Sequence, residues 1–352
     1  RRPAHVLAVE VIQARLRDTD ALVYYGLSMQ EALVVVVTRK GVHARDIGDA
    51  KGIVERANQL RRLGSSATSR GFAMLREDKP ERTDEALSTV VEQLRRELAA
   101  PLELPASIKR ILLSPMGELG YVPFSLLFPD HEIVFVPSGT AYGLLREEQA
   151  PGGRRVLAIG DPSYGRTVNK AAVALYRGAA TQALTALPGT RKEVEAIGDV
   201  KLLAASATEE AFRAALAKEA RWRAVHFACH GLVDGSNWMR SSLALTATTE
   251  NDGFLSVVEL LRMDVPADLA VMSACETAHG KIHATEGIVG LTRAFLVAGS
   301  PRVLCSLWKV DDDATQALMR KFYALWNPKD GTKPLPAAAA LRAAQAHVRD
   351  QE

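Results

Sequence analysis

The sequence predicts an α/β protein whose carboxyl-terminal half is a mostly parallel sheet with helices on both faces. Beyond residue 155, short apolar runs alternate with amphipathic stretches, which is the pattern of strand–helix units in a parallel sheet. The segment Ala150-Pro-Gly-Gly-Arg-Arg155 has the composition of a linker. Before it, apolar runs separated by short polar turns predict hairpins. We therefore expect two domains, residues 1–150 and residues 151–352.

Composition excludes several classes of protein. The 352 residues hold 44 basic and 41 acidic side chains, so the net charge is only +3. No strong field favours nucleic acid, and we expect neither direct nucleic-acid binding nor membrane association. The longest apolar run near the start, residues 32–38, is far shorter than the ~20 residues of a membrane span. Three cysteines, an odd number, argue against a disulfide framework and favour the cytoplasm.

The amino-terminal half is predicted to be a smaller α+β unit. Apolar residues near helical spacing indicate helices over 4–17, 49–63 and 82–99. The segments 21–25 and 32–38 form a predicted hairpin, and 42–47 is a candidate third strand. We expect a loop over 64–79, a strand over 107–113, and then two segments bounded by prolines, 121–128 and 132–136. Since the first residue is arginine, we also expect that an amino-terminal part is missing.

The carboxyl-terminal half supplies the strands of the parallel sheet and the helices between them. The predicted strands cover 155–159, 201–203, 225–229, 269–274 and 302–307. The predicted helices cover 190–198, 208–219, 286–298, 312–326 and 336–348. A small hairpin over 242–247 and 253–255 and a short helix over 257–263 complete the set. Thr208 starts one helix, because a threonine cap followed by acidic residues suits the positive end of the helix dipole.

A histidine and a cysteine follow two of the predicted strands. His230 and Gly231 end the run that begins at Arg223, and Cys275 ends the run that begins at Asp268. Ligands of α/β sheets bind at the carboxyl ends of the strands. Two neighbouring strands that end in this way would place an imidazole and a thiol on one rim, which is the arrangement that a cysteine nucleophile needs.

Each residue of this pair has a proposed role and a plainer alternative. An imidazole at His230 would favour the thiolate of Cys275, which is the attacking form. The backbone N–H groups of Gly231 and Cys275 would hold the oxyanion of the reaction. The alternatives are that Cys275 is a small buried hydrophobic residue and that His230 is a hydrogen-bonded core or surface histidine.

The remaining histidines and cysteines of the strands look structural. In a strand, His226 and His230 are ~13 Å apart, which is too far for one metal ion. The chain has no Cys-x-x-Cys and no glycine-rich phosphate loop, so we expect no metal and no cofactor. Alternation puts Cys229 on the opposite sheet face from His226 and His230. We interpret Cys229, Cys305 and His226 as core residues.

Four acidic residues are candidates for substrate binding at the same rim. Asp161 follows the first strand of the second domain, Glu276 follows Cys275, and Asp311 and Asp312 follow the last strand. If they line the pocket, they favour a basic side chain in the substrate. The alternatives are a turn residue before Pro162 for Asp161 and a helix cap for the aspartates after residue 310.

Several ordered blocks of the sequence together resemble a CHAT domain, a caspase-like cysteine peptidase domain often found after TPR repeats. They are Ile111–Phe124, Leu187–Glu195, His226-Phe-Ala-Cys-His-Gly231, Ser273-Ala-Cys-Glu-Thr-Ala278, Glu286-Gly287, and Ser306-Leu-Trp308 with Asp311-Asp312. The resemblance covers nearly the whole chain. The family's histidine falls on His230 and its nucleophilic cysteine on Cys275, 45 positions later.

The resemblance implies a fold and an activity. The fold is a caspase-like carboxyl-terminal half preceded by an accessory, pseudo-caspase-like half. The activity is cleavage of a protein substrate, controlled by an upstream TPR or sensor region of the same chain or by a regulatory partner. Such proteins resemble switch proteases, including effectors of bacterial defence. A non-catalytic interaction or signalling module and a hydrolase of small molecules remain the alternatives.

Overall fold

The computed structural model of this protein describes residues 6–69, 80–147, 152–164, 184–233, 237–273, 285–307 and 312–350. Within these ranges, only the backbone is described for 65–69, 80–84, 147, 285–289 and 312. The chain divides into two compact units. One consists of residues 1–150 with 336–342, and the other of residues 151–335 with 343–352.

The amino-terminal unit contains a five-stranded sheet of order β3-β2-β1-β4-β5. Its strands are β1 (Asp20–Leu27), β2 (Glu31–Thr38), β3 (Gly41–Asp49), β4 (Arg110–Pro115) and β5 (Glu132–Phe135). The predicted hairpin is confirmed, because β1 and β2 pair antiparallel from Ala21↔Thr38 onwards, and β3 extends it. β4 and β5 join in parallel.

The helices of this unit cover the sheet with apolar side chains. They are α1 (Val9–Arg15), α2 (Ala50–Ser69), α3 (Pro80–Leu94), α4 (Phe124–Leu127) and α5 (Gly139–Glu147). Ile53 and Leu60 of α2 and Leu94 of α3 pack in one buried cluster with Val23 and Val34 of the sheet. A π-helical turn (Arg95–Ala99) and a 3-10 turn (Ala100–Leu102) follow α3, and a second 3-10 turn covers Gly117–Tyr121.

Three sequence predictions for this unit need correction. The predicted loop over 64–79 is wrong for its first six residues, because α2 continues to Ser69. A single glycine, Gly64, costs a helix only about 1 kcal/mol and does not stop it. The helix predicted over 4–17 is confirmed only for Val9–Arg15. The helix predicted over 82–99 changes to π-helical geometry at Arg95.

The carboxyl-terminal unit contains a five-stranded parallel sheet of order β13-β12-β8-β6-β7. Its strands are β6 (Val156–Pro162), β7 (Val200–Ala204), β8 (Ala224–Ala228), β12 (Ala270–Met272) and β13 (Val303–Cys305). The sheet is surrounded by α6 (Pro188–Ile197), α7 (Glu209–Leu216), α9 (Thr285–Val297) and α10 (Asp312–Trp326). The predicted parallel α/β fold is confirmed. The last helix of the chain is α11 (Ala337–Arg349).

The two faces of the central strand β8 contact different helices, as the alternation of its side chains predicts. Phe227 packs against Phe212 of α7 and Phe295 of α9, with ring centroids 5.0 and 5.6 Å apart. His226 points the other way, where Glu193 of α6 and Tyr323 of α10 approach it. Both faces of β8 are therefore buried, and helices cover each side of the sheet.

A small antiparallel sheet follows the end of β8. It consists of β9 (Gly231–Leu232), β10 (Ser242–Ala244) and β11 (Phe254–Ser256), in the order β11-β10-β9. The predicted hairpin is confirmed by the pairing of β10 with β11. Ser256 and Glu259 form a reciprocal capping box that starts α8 (Val257–Leu260). This sheet fixes the path of the chain directly after His230.

Candidate active site

The strands that carry the predicted catalytic residues are neighbours and end at the same edge of the sheet. β8 and β12 pair in parallel, with Phe227 opposite Met272. The pairing continues past the end of β12, because the Ser273 N–H donates to the Phe227 carbonyl at 2.9 Å. His230 lies two residues beyond β8. Cys275 and Glu276 lie outside the described residues, so the geometry of the dyad stays a prediction.

His230 is buried, with only 4% of its surface exposed, and its imidazole is held by the main chain. Nε2 lies 2.7 Å from the carbonyl oxygen of Thr185. A carbonyl oxygen can only accept a hydrogen bond, so Nε2 must carry the hydrogen. In the neutral ring, the lone pair is then on Nδ1, which becomes the nitrogen able to take a proton. An orienting group of this kind is what a catalytic base requires.

Tyr164 supports the backbone of the same residue. Its hydroxyl accepts a hydrogen bond from the His230 N–H at 3.3 Å and donates one to the Ala244 carbonyl at 3.2 Å. The two rings lie 5.2 Å apart. The next residue, Gly231, begins β9 and pairs with Leu243 of β10. The histidine is thus held through both its ring and its main chain.

Asp161, the one predicted substrate-binding residue whose side chain is described, already has a cationic partner. Arg191 of α6 contacts its carboxylate through Nη2 at 2.6 Å and Nε at 2.8 Å. The Asp161 N–H donates to Thr190 Oγ1 at 2.9 Å, and its φ of +47° is a left-handed conformation that aspartate tolerates. A basic substrate side chain would have to compete with Arg191. Asp311 lies outside the described residues, and Asp312 is described only as the first backbone position of α10.

The other two cysteines are poor candidates for a nucleophile. Cys229 is fully buried, and this burial raises the pKa of its thiol to about 12. Burial also raises the pKa of Cys305, which is the last residue of β13 rather than a mid-strand residue and lies 4.0 Å from Thr292 Oγ1. Both thiols are held in the unreactive protonated form at neutral pH.

A buried polar cluster that sequence reasoning did not find lies beneath the strand ends. The Ser273 hydroxyl donates to Glu193 Oε1 at 2.5 Å, and His226 Nε2 lies 3.0 Å from the same oxygen. Tyr323 Oη is 3.3 Å from His226 Nδ1. We call Glu193, His226, Ser273 and Tyr323 the strand-end cluster. His226 is a buried histidine, as predicted, but it is paired with a carboxylate and not surrounded by apolar groups alone.

The described part of the chain contains neither a metal-ligand cluster nor a membrane-spanning helix. There, no group of three or more histidine, cysteine, aspartate or glutamate side chains is arranged to hold a metal ion. Within the same ranges, no helix has the length and apolar character needed to cross a membrane.

Comparison with known proteins identifies the family. The CHAT domain profile matches residues 88–352, which is well over half of the chain. The chain belongs to the CHAT domain family. Tetratricopeptide repeat protein 28 of Mus musculus is 25% identical over 272 residues, which cover 61% of this chain and 10% of that protein. Tetratricopeptide repeat protein 28 of Homo sapiens is 36% identical over 70 residues, covering 20% of this chain and 3% of that protein.

The fold of this CHAT chain is similar to that of a solved structure. The similar chain is in the Saccharomyces cerevisiae separase–securin complex, with a TM-score of 0.57 and 11% sequence identity. The similarity covers 96% of the CHAT chain and 30% of the other chain. At this identity the comparison establishes the fold, and the caspase-like architecture implied by the sequence blocks is confirmed.

Proposed function

We propose that this CHAT domain is a cysteine endopeptidase in which His230 assists Cys275. The observation that supports this most is the hydrogen bond from His230 Nε2 to the Thr185 carbonyl, at the end of a strand adjacent to the one that leads to Cys275. This bond leaves Nδ1 as the basic nitrogen, and it fixes the ring as a third group fixes the base in other nucleophile–base pairs.

The reaction proceeds through a thioester. The Cys275 thiol gives its proton to Nδ1 of His230, and the sulfur forms a bond to the carbonyl carbon of the substrate peptide. The backbone N–H groups of Gly231 and Cys275 stabilise the resulting oxyanion. The C–N bond then breaks, and the leaving amine takes the proton from the imidazolium. Water attacks the thioester, releases the carboxylic acid product and returns a proton to the sulfur through His230.

The proposed substrate is one protein partner rather than unfolded protein in general. The curated relatives carry tetratricopeptide repeats in their names, and the part of this chain that matches the mouse protein covers a tenth of that protein. We propose that an upstream TPR or sensor region, or a separate regulatory partner, controls cleavage. We place the protein in the cytoplasm and, by analogy with the family, propose a role in bacterial defence. A basic residue before the cleaved bond is the proposed preference, from Glu276, Asp311 and Asp312; Asp161 contributes only if the substrate displaces Arg191.

Covalent labelling tests the dyad directly. A peptidyl acyloxymethyl ketone carrying a basic residue is expected to modify Cys275, as mapped by mass spectrometry. Cys275→Ala should abolish labelling, His230→Ala should slow it, and Cys305→Ala is the matched control that should leave it unchanged. Labelling that persists in Cys275→Ala, or that His230→Ala does not slow, would refute the proposed roles.

A non-catalytic interaction module is the second candidate. The observation that favours it is that the names of both curated relatives describe repeats and no hydrolytic activity. This reading predicts that Cys275→Ala leaves partner binding intact and that a peptide library is not cleaved by the wild-type chain under any activating condition. If the wild type cleaves one library sequence and Cys275→Ala does not, the non-catalytic module is excluded.

A further inference from the structure

We propose that the strand-end cluster is a set of positioning residues. It fixes the direction in which the chain leaves β12 at Ser273, and with it the thiol of Cys275 two residues after Ser273. This inference rests on the proposed function for its catalytic consequence. The four residues of the strand-end cluster are all described, and none of them takes part in the proposed reaction.

Ser273 is the residue at which this positioning acts. Its N–H donates to Phe227 O of β8 at 2.9 Å, its carbonyl accepts from Ser306 Oγ at 3.2 Å, and its hydroxyl donates to Glu193 Oε1 at 2.5 Å. Every polar group of Ser273 is thus bonded, each to a different element. A residue bound in three directions cannot rotate without losing a bond, so the backbone of Ser273 is held in one orientation just past the end of β12.

Glu193 needs compensation for its burial, and His226 provides it. Only 2% of Glu193 is exposed and His226 is fully buried, and a buried carboxylate is costly unless it is paired. The imidazole approaches to 3.0 Å. No standard hydrogen bond forms there, so the contact is a close electrostatic one between the polar ring edge and the carboxylate. The Ser273 hydroxyl supplies the short, directed bond to the same oxygen.

Tyr323 of α10 contacts the imidazole of His226 and completes the strand-end cluster. Its hydroxyl lies 3.3 Å from His226 Nδ1, and the two rings meet edge to face at 5.7 Å. Burial and the nearby Glu193 carboxylate keep the pKa of Tyr323 well above its ordinary value, so the phenol remains protonated and able to donate. The histidine is thereby hydrogen-bonded at Nδ1 and contacted by Glu193 at Nε2, and its orientation beside Glu193 is set.

The cluster is joined to the base as well as to the strand that leads to the nucleophile. Thr185, whose carbonyl holds His230, lies only eight residues before Glu193, and α6 begins between them. His226 is on the same strand as His230, four residues earlier. One stretch of chain, residues 185–193, therefore contacts both segments of the proposed dyad.

A purely structural role predicts a different outcome from a positioning role. An apolar core of the same shape is often as stable as a buried ionic cluster, so stability alone does not require these side chains. What these side chains add is a fixed orientation of the Ser273 backbone. A misplacement of about 1 Å at a reacting atom lowers a rate about 100-fold, whereas the affinity for a substrate bound elsewhere in the cleft changes little.

The test compares the inactivation of Cys275 by the peptidyl acyloxymethyl ketone in matched variants of this chain. Ser273→Ala and Glu193→Ala should each lower kinact about 10- to 100-fold while KI stays within about twofold. Ser273→Thr keeps the hydroxyl and should retain most of the rate. Glu195→Gln, on the same helix with its side chain 52% exposed, is the control and should match the wild type.

Tryptophan fluorescence unfolding confirms that each variant is folded before its rate is interpreted, and Glu193→Gln replaces Glu193→Ala if the latter does not fold. A wild-type kinact in folded Ser273→Ala overturns the inference and leaves the peptidase proposal standing. If the wild type is inert to the ketone, the peptidase proposal falls, and alkylation of Cys275 by iodoacetamide tests the cluster. A rate changed more than threefold by Ser273→Ala then supports the inference, and an unchanged rate overturns it.

Discussion

Removal of the Asp268 carboxylate should destabilise the carboxyl-terminal unit more than any surface substitution. Asp268 is 6% exposed and lies two residues before the start of β12. Its oxygens contact Arg221 Nε at 2.6 Å and Arg223 Nη1 at 3.5 Å, and they accept the Gly153 N–H at 3.0 Å. Gly153 lies so close to the Trp222 main chain that a Cβ there would be 2.1 Å from its carbonyl carbon. This part of the predicted linker is therefore packed against the unit.

The size of the effect follows from the three contacts that are lost. The short bond from Arg221 and the bond from Gly153 to an ionised acceptor each contribute about 1.5–2 kcal/mol, and the long contact with Arg223 contributes less than about 1 kcal/mol. Asp268→Ala also leaves two guanidinium groups beside each other, with side chains only 18% and 23% exposed. We expect the free energy of unfolding to fall by about 3–5 kcal/mol.

Urea denaturation followed by tryptophan fluorescence measures this loss selectively. All four tryptophans lie between residues 222 and 326, so the signal reports on the carboxyl-terminal unit. Asp268→Asn keeps an acceptor for Gly153 and should lose less than Asp268→Ala. Asp264→Ala, an exposed position four residues earlier, is the control and should change stability by less than about 0.5 kcal/mol. A loss below about 1 kcal/mol for Asp268→Ala would refute the assigned role of these contacts.

Three further measurements test other features of the same unit. Burial and the neighbouring Glu259 raise the pKa of Glu209 from 4.5 to about 7. The folded state therefore loses stability as the pH rises between these values. In urea denaturation, Glu209→Gln should be more stable than the wild type by about 1–3 kcal/mol at pH 8 and equal to it below about pH 4.5. The raised pKa of Cys229, about 12 against an ordinary 9.0, makes its thiolate about 1,000 times rarer, so iodoacetamide should modify it only after unfolding, and rapid native modification would contradict this. Thr208 caps α7 through its hydroxyl, so Thr208→Ala should cost about 1 kcal/mol in urea denaturation, with Thr208→Ser near the wild type as the control.

Local signals predicted most of the elements correctly. The run of three aspartates predicts the start of α10, which begins at Asp312 and ends at Trp326 as expected. Alternation along β8 correctly separates Phe227 from His226. The end of α2 was missed because Gly64 is a weak stop signal, and tertiary packing decides how far a helix continues.

The site was predictable only in part, because its contacts join segments far apart in the chain. His230 was found from its position after a strand, but its partner is a main-chain oxygen at Thr185, which side-chain chemistry does not reveal. The bond from Ser273 to Glu193 spans 80 residues. Arg191 neutralises Asp161 from 30 residues away. Such pairs form because α6 packs on the sheet, and the periodic pattern of apolar residues does not predict them.

The main-chain oxygen that holds His230 has a consequence for the control of the proposed activity. No side-chain substitution at position 185 deletes a peptide carbonyl, so the tautomer of the imidazole is insensitive to the identity of that residue. It is sensitive instead to the course of the backbone ahead of α6. A ligand or partner that moves the backbone at Thr185 by about an ångström would break its hydrogen bond to His230 without contacting the histidine. Return of the backbone to its original position would restore the bond.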